Sequence, residues 1–104
     1  MTPSIETFLD GDVLRLSPSG DLVASSVEQQ RAEMLSAIEA SAKALVLDLS
    51  SVEQVDSLGI SLVAGLFKSG QAKGFEFSVE GANASILRVF KLFKLPHFFP
   101  VKGA

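Results

Sequence analysis

Three residues of this chain, Asp56, Ser57 and His97, are of the types that form a hydrolytic triad. Such a triad requires the histidine within hydrogen-bond reach of the serine, and nothing in the sequence places His97 beside Ser57. The stretch DSLG is not the Gly-x-Ser-x-Gly elbow, and no glycine-rich phosphate loop followed by Lys-Ser or Lys-Thr is present. We therefore expect no catalytic residues and no enzymatic activity.

The pair Asp56 and Ser57 stands where an apolar helical pattern begins, in the segment QVDSLGISL at residues 54–62. Both residue types are good N-caps, because a side-chain oxygen there accepts a hydrogen bond from an otherwise unpaired backbone N–H. The pair also follows a buried strand, at the rim of the sheet where α/β proteins place their sites. The pattern predicts either a simple helix start or a functional site.

The predicted helix after Ser57 is apolar nearly all round until Lys68. Gly59 in its first turn weakens a helix by roughly 1 kcal/mol relative to alanine, which favours a close approach of something to the backbone. Leu58 and Leu62 lie opposite the stripe of Ile60, Val63, Ala64 and Phe67. They pack either under a neighbouring helix or against a partner protein.

Composition narrows the classes of function. The chain has 104 residues, 47% of them hydrophobic, and we expect a single domain over residues 1–104. Its net charge is −3, and the few lysines cluster near the end among phenylalanines, so nucleic acid is not an expected partner. The absence of cysteine and the single histidine predict no metal site and no cofactor.

No apolar run is long enough to cross a bilayer, and the N-terminus lacks the basic start and apolar core of a secretory signal. We therefore expect no membrane insertion and a cytoplasmic location.

The elements around the Asp-Ser pair can be placed from periodicity. Asp10-Gly11 separates two extended runs and predicts a hairpin. Ser25 or Ser26, with Glu28 or Gln29 three residues on, predicts a capping box that opens a helix over residues 26–42, with its core face formed by Val27, Met34, Leu35 and Ile38. The apolar run at residues 43–52 predicts a central strand buried on both faces.

Beyond the central strand, a helix is predicted over residues 57–74 with Gly74 as its stop, and a strand over residues 75–79. Asn83 or Ser85 caps a third helix, whose core face holds Ile86, Phe90 and Phe93 and which ends before Pro96. The tail is a short extended segment. The fold class is α/β, a mixed sheet with an N-terminal hairpin and helices packed on it.

The segment ALVLDLSSVEQVDSLGISLVAGL resembles the central signature of the STAS domain, the fold of bacterial anti-sigma-factor antagonists. An apolar strand ends in aspartate, and after a short spacer Asp-Ser-x-Gly opens a helix. SGDLVASSVEQQRAEML is similar to the segment leading into the family's first helix, and residues 73–101 are similar to its closing strand, helix and tail. The resemblance covers almost the whole chain.

The resemblance implies partner switching. Ser57 corresponds to the hydroxyl residue that an anti-sigma serine kinase phosphorylates, and a phosphatase resets it. Unmodified protein is expected to bind the kinase and free a sigma factor, and the phosphorylated form to release the kinase. Asp56 would orient Ser57, and the partner-binding residues are expected to be Asp56, Leu58, Gly59, Leu62, Leu66 and Asp21.

An alternative role keeps the fold. STAS domains also serve as constitutive subunits on the cytoplasmic side of lipid-transporting ABC permeases, where the Asp-Ser-x-Gly loop would be a fixed docking element. The phenylalanines near the end, Phe90, Phe93, Phe98 and Phe99, are expected to be mostly core, although an exposed pair could bind a partner or a second copy as a homodimer.

Overall fold

Five strands form one mixed sheet, and their order across the sheet is their order along the chain. The computed structural model describes residues 5–38 and 42–104. Its elements are β1 (Ile5–Asp10), β2 (Val13–Pro18), α1 (Val27–Ala37), β3 (Ala44–Asp48), α2 (Ser57–Ala72), β4 (Glu76–Ala82), α3 (Ala84–Leu92), a 3-10 turn (Leu95–His97) and β5 (Val101–Gly103). The predicted α/β fold class is confirmed.

The N-terminal hairpin forms as the sequence predicts. Strands β1 and β2 are antiparallel, and Asp10 pairs with Val13, so Gly11 and Asp12 make a two-residue turn. Gly11 has a φ of 60°, the left-handed conformation that such turns require and that glycine adopts without steric cost. Strand β2 also pairs with β3, so it joins the hairpin to the rest of the sheet.

The remaining strands are parallel, and each helix carries the chain from one strand to the next. Strand β3 pairs with β2 on one side and with β4 on the other, which makes it the predicted central strand. Parallel strands bring their carboxyl ends to the same edge of the sheet. The ends of β3 and β4 therefore deliver the segments before α2 and before α3 to that edge.

The core lies on one face of the sheet. Alternate side chains of β2, β3 and β4 are buried there beneath the helices: Leu14, Leu16, Leu45, Leu47, Phe77 and Val79. The opposite face carries Arg15, which pairs with Asp48 at 3.4 Å and with Glu80 at 3.0 Å. The prediction that β3 is buried on both faces is wrong, because Val46 and Asp48 are only half-buried on that open face.

Helix α1 departs from its predicted cap and length. Ser26 occupies the N-cap position, but its hydroxyl donates to the carbonyl oxygens of Asp21 at 2.8 Å and Val23 at 3.3 Å and caps no helical N–H. The predicted capping box is therefore wrong. The helix ends at Ala37, and residues 39–41 of the predicted helix lie outside the described residues. Leu35 is on the exposed side, not in the core.

Helix α3 begins as predicted, because the Asn83 side chain accepts a hydrogen bond from the N–H of Ile86 at 2.9 Å. Ile86 and Phe90 are buried as expected, whereas Phe93 is half-exposed just after the helix ends. Gly74, with a φ of 83°, follows the end of α2 as predicted. Within residues 5–38 and 42–104, every helix is too short or too polar to cross a membrane.

Candidate functional site

Helix α2 starts on Asp56, which is the N-cap with extended backbone dihedrals. Its Oδ1 accepts hydrogen bonds from the N–H of Leu58 at 3.0 Å and of Gly59 at 2.9 Å. These donors have no partner inside the helix, so the carboxylate satisfies two of them and places a negative charge at the positive end of the helix dipole. The predicted helix start is therefore observed, with Asp56 as the cap.

Two loops meet at this helix start, residues 20–26 and residues 50–56, which we call the loop pair. The second carboxylate oxygen of Asp56, Oδ2, accepts from the N–H of Ala24 at 2.9 Å. On the other side, Oδ1 of Asp21 accepts from the N–H groups of Glu53 and Gln54, each at 3.1 Å. Each loop thus supplies an aspartate that binds the backbone of the other.

Backbone contacts complete the loop pair. The N–H of Leu22 donates to the carbonyl of Gln54 at 3.0 Å, and the N–H of Asp56 donates to the carbonyl of Leu22 at 3.2 Å. Gly59 is buried against this junction. A Cβ there would overlap the carbonyl oxygen of Leu22 and lie 2.8 Å from Cγ1 of Val55. The close approach that the sequence predicts at Gly59 is therefore made by the chain's own loop.

The hydrogen bonds to Asp56 keep its carboxylate charged. Donation by the N–H of Gly59, followed by that of Ala24, lowers the pKa of Asp56 below its ordinary value of 3.8, against the smaller opposing effect of burial. Asp56 is therefore ionised throughout the neutral range, and its negative charge stands next to Ser57.

Ser57 is the first residue of α2, and its side chain is exposed. Among the described residues, no side-chain hydrogen bond or ion pair holds its hydroxyl. The nearby N–H groups of Leu58 and Gly59 are already bound by Asp56. The hydroxyl is therefore open to solvent on a helix start that needs no further cap.

The apolar residues that follow Ser57 divide into two groups. Leu58 is 46% exposed, whereas Leu62 and Leu66 are each 1% exposed and belong to the core. The predicted docking surface of Leu58, Leu62 and Leu66 is wrong for the last two, because α1 packs along α2 and covers them. Core packing under a neighbouring helix accounts for Leu62, and Leu58 alone of the three is on the surface.

The hydrolytic triad is not assembled. His97 lies in the exposed 3-10 turn next to Phe98, whose ring is 6.5 Å from that of Phe67 on α2. Phe67 is ten residues beyond Ser57, which corresponds to roughly 15 Å along the helix. Among the described residues no group of three histidine, cysteine or acidic side chains is placed to hold a metal ion.

Sequence reasoning missed the backbone partners of this site. Neither the Ala24 N–H nor the Leu22 carbonyl is marked by its residue type, since any residue supplies these groups. Asn83 was predicted only as a cap, yet its Nδ2 also donates to the carbonyl of Glu53 at 3.1 Å. An acid or amide in the segment after β2, β3 and β4 is a signal in the sequence for these ties.

Replacing Asp56 with asparagine should lower the melting temperature at about pH 7 by about 5 °C, because the amide keeps one oxygen to cap the helix but loses the negative charge and the second acceptor, which binds the N–H of Ala24. Since the folded pKa of Asp56 is lowered, its stabilising effect is present above pH 3.8 and is lost as the pH falls below that value. Thermal melts should therefore show the two proteins converging in acid. Asp10→Asn, at an exposed hairpin position, is the matched control, and an equal loss there would contradict the prediction.

The fold and this helix start agree with a known class of small α/β domain. The family model for the STAS domain matches residues 4–103. The chain therefore belongs to the STAS domain family.

Several solved structures have a similar fold. An anti-sigma factor antagonist from Mycobacterium paratuberculosis is 23% identical with a TM-score of 0.88, over 99% of this chain and 87% of that one. An anti-sigma-factor antagonist (STAS) domain protein from Planctomyces limnophilus is 18% identical with a TM-score of 0.83, over 96% and 90%. The phosphorylated form of SpoIIAA, a cell fate determinant of Bacillus, is 19% identical with a TM-score of 0.72, over 99% and 92%. The fold is thus that of anti-sigma factor antagonists.

Proposed function

We propose that this protein is an anti-sigma-factor antagonist that switches partners through phosphorylation of Ser57. In its unmodified form it binds an anti-sigma serine kinase, and in its phosphorylated form it releases that kinase until a phosphatase removes the group. The observation that carries this proposal is the exposed hydroxyl of Ser57, which stands between the charged Asp56 and the exposed Leu58.

The local charges favour release after phosphorylation. A phosphate adds about −1.5 to −2 charges, and a bare helix N-terminus would bind it through backbone N–H groups. Here Asp56 already holds the N–H groups of Leu58 and Gly59. The added charge would therefore be directed outward, next to a carboxylate that is itself ionised, and a partner packed on Leu58 would meet repulsion and a desolvation cost.

The rigid contacts within the loop pair support the same proposal. Asp21 and Asp56 each bind backbone N–H groups of the opposite loop, so both acids hold the platform on which Ser57 stands. The phosphate would act on a surface that is already formed, and the domain would not have to unfold. Asp21 and Gly59 then support the docking surface from beneath, and Leu58 contacts the partner.

Ser57→Asp should weaken binding of the partner kinase by roughly tenfold or more, since a carboxylate carries part of the phosphate's charge. We would capture proteins from the native cytoplasm with tagged wild type and Ser57→Asp, and identify them by mass spectrometry. Ser36→Asp is the matched control. Ser36 is exposed, and it lies nine residues after the start of α1, roughly 14 Å from the loop pair.

A histidine-kinase-like ATPase that is held by wild type and Ser36→Asp and lost from Ser57→Asp would support the proposal. Capture of one transporter ATPase by all three proteins would contradict it and favour the permease subunit. Equal capture of the kinase by wild type and Ser57→Asp would support the kinase as the partner but contradict the proposal that Ser57 is the switch.

A further inference from the structure

The charges of this chain are divided along its length. Residues 81–104 contain four of the nine basic residues and none of the twelve acidic ones, although the whole chain has a net charge of −3. Helix α2 also lacks acidic residues, and it contributes Lys68. The C-terminal end of α3, the 3-10 turn and the facing part of α2 are therefore basic, whereas Glu53 lies beside the first two turns of α3, in a hollow that it lines with Ser85 and Val89.

Large apolar side chains protrude from the same place. The exposed fractions are 74% for Leu92, 50% for Phe93 and 64% for Phe98, whereas Phe90 and Phe99 are buried. The chain turns sharply after α3, since Lys94 has a left-handed φ of 59°, and the buried Leu95 anchors the 3-10 turn that follows. The core is thus complete without Leu92, Phe93 and Phe98, and a fixed turn holds them outside it.

Cations lie next to these apolar groups. Arg88, Lys91 and Lys94 are exposed on α3 and on the turn. Lys68 borders a shallow hollow of about 150 Å³ beside Phe98. We call Lys68, Arg88, Lys91, Leu92, Phe93, Lys94 and Phe98 the basic apolar turn. The acids of β4, Glu76 and Glu80, lie with Lys102 around a separate hollow, which Lys68 and the α3 cations do not line.

We propose that the basic apolar turn binds peripherally to the surface of an anionic lipid bilayer. Protruding phenylalanine and leucine side chains next to exposed lysine and arginine fit an interface where apolar chains lie directly beneath negative headgroups. The hollow beside Phe98 is too small to receive an anchoring side-chain cluster of a partner helix. This inference is independent of Ser57 and of the proposed partner switch.

Flotation with lipid vesicles tests the proposal. The vesicles are phosphatidylcholine alone or phosphatidylcholine with about one quarter phosphatidylglycerol, at about 0.1 M and about 0.5 M salt. Wild type should float with the anionic vesicles at low salt only. Lys91→Gln with Lys94→Gln should weaken binding about 25-fold, since each lysine near such a surface contributes about fivefold. Leu92→Ser with Phe98→Ser should weaken it by roughly tenfold or more.

Matched controls change the same residue types elsewhere. Lys43→Gln, beside Asp12 of the hairpin turn, and Phe8→Ser, on the edge strand β1, alter exposed side chains outside the basic apolar turn and should float like wild type. Circular dichroism melts of every variant verify that it is folded, and the lysine pair is fully usable because both side chains lie outside the core. Absence of wild-type flotation, equal binding to neutral vesicles, or equal losses in the controls would overturn the proposal. So would a loss of self-association, and not of lipid binding, in the basic apolar turn variants.

Discussion

Gly59→Ala is expected to destabilise the protein by about 3 kcal/mol, a large part of the 5 to 15 kcal/mol that holds a domain of this size folded. The added methyl group would overlap the carbonyl oxygen of Leu22 and press on Val55. The overlap is with the backbone of the loop pair, so no rotation of a side chain relieves it. Urea denaturation followed by circular dichroism measures the loss.

Gly65→Ala is the control for this experiment. Gly65 lies on the exposed side of the same helix, and a Cβ there has no neighbouring atom within 4 Å. Alanine is the better helix former, so this change should stabilise the protein by roughly 0.5 to 1 kcal/mol. A Gly59→Ala protein as stable as wild type would show that the loop pair does not sit against α2 in solution as closely as the structure places it.

Leu62→Ala should cost about 3 kcal/mol of stability, because it empties a fully buried site between α2 and its neighbours. Leu58→Ala, four residues earlier on the same helix, should cost less than about 1 kcal/mol, since nearly half of that side chain is already in water. The same two variants separate folding from recognition. Leu58→Ala should weaken partner binding, and Leu62→Ala should not do so under conditions where it remains folded.

Chemical denaturation and a binding assay on the two leucine variants give the answer together. Equal stability losses would mean that Leu58 is covered in the protein alone, and the Leu58 surface would then be withdrawn as a docking site. A Leu62→Ala protein that is stable but does not bind would restore the wider docking face that the sequence predicted.

The sheet was predictable because its signals are local. The Asp10-Gly11 turn, the apolar run at β3 and the Asn83 cap each depend on a few adjacent residues, and periodicity orders the elements between them. The resemblance to the STAS signature placed Ser57 at the start of α2, where the structure has it. What these signals could not define is which face of each element another element covers.

The errors follow from that limit. The apolar pattern of α2 is the same whether Leu62 meets α1 or a partner protein, so only the packing of α1 decides it. Ser26 has the sequence of a helix cap, but its hydroxyl donates to the carbonyls of Asp21 and Val23 and caps no helical N–H. Val46 looks like a core residue in the sequence although it is only half-buried, because β-branched residues favour strands on either face.

Gly59 shows the same limit within a single residue. Its cost in a first helical turn correctly indicated a close approach, and the sequence left the approaching group open. The structure supplies it as the Leu22 carbonyl, a backbone group that no residue type reveals. A glycine in the first turn of a helix therefore indicates a close contact, and the contacting group can belong to the same chain.

The loop pair also affects how fast the site can respond. Backbone and carboxylate hydrogen bonds fix residues 20–26 and 50–56 to each other before any ligand arrives. Loops that must first order themselves respond no faster than that ordering, and collective rearrangements take microseconds to milliseconds. A group added to Ser57 meets no such delay. The rate of a response to modification of Ser57 is then set by how fast the molecules meet and by how fast the group is added or removed.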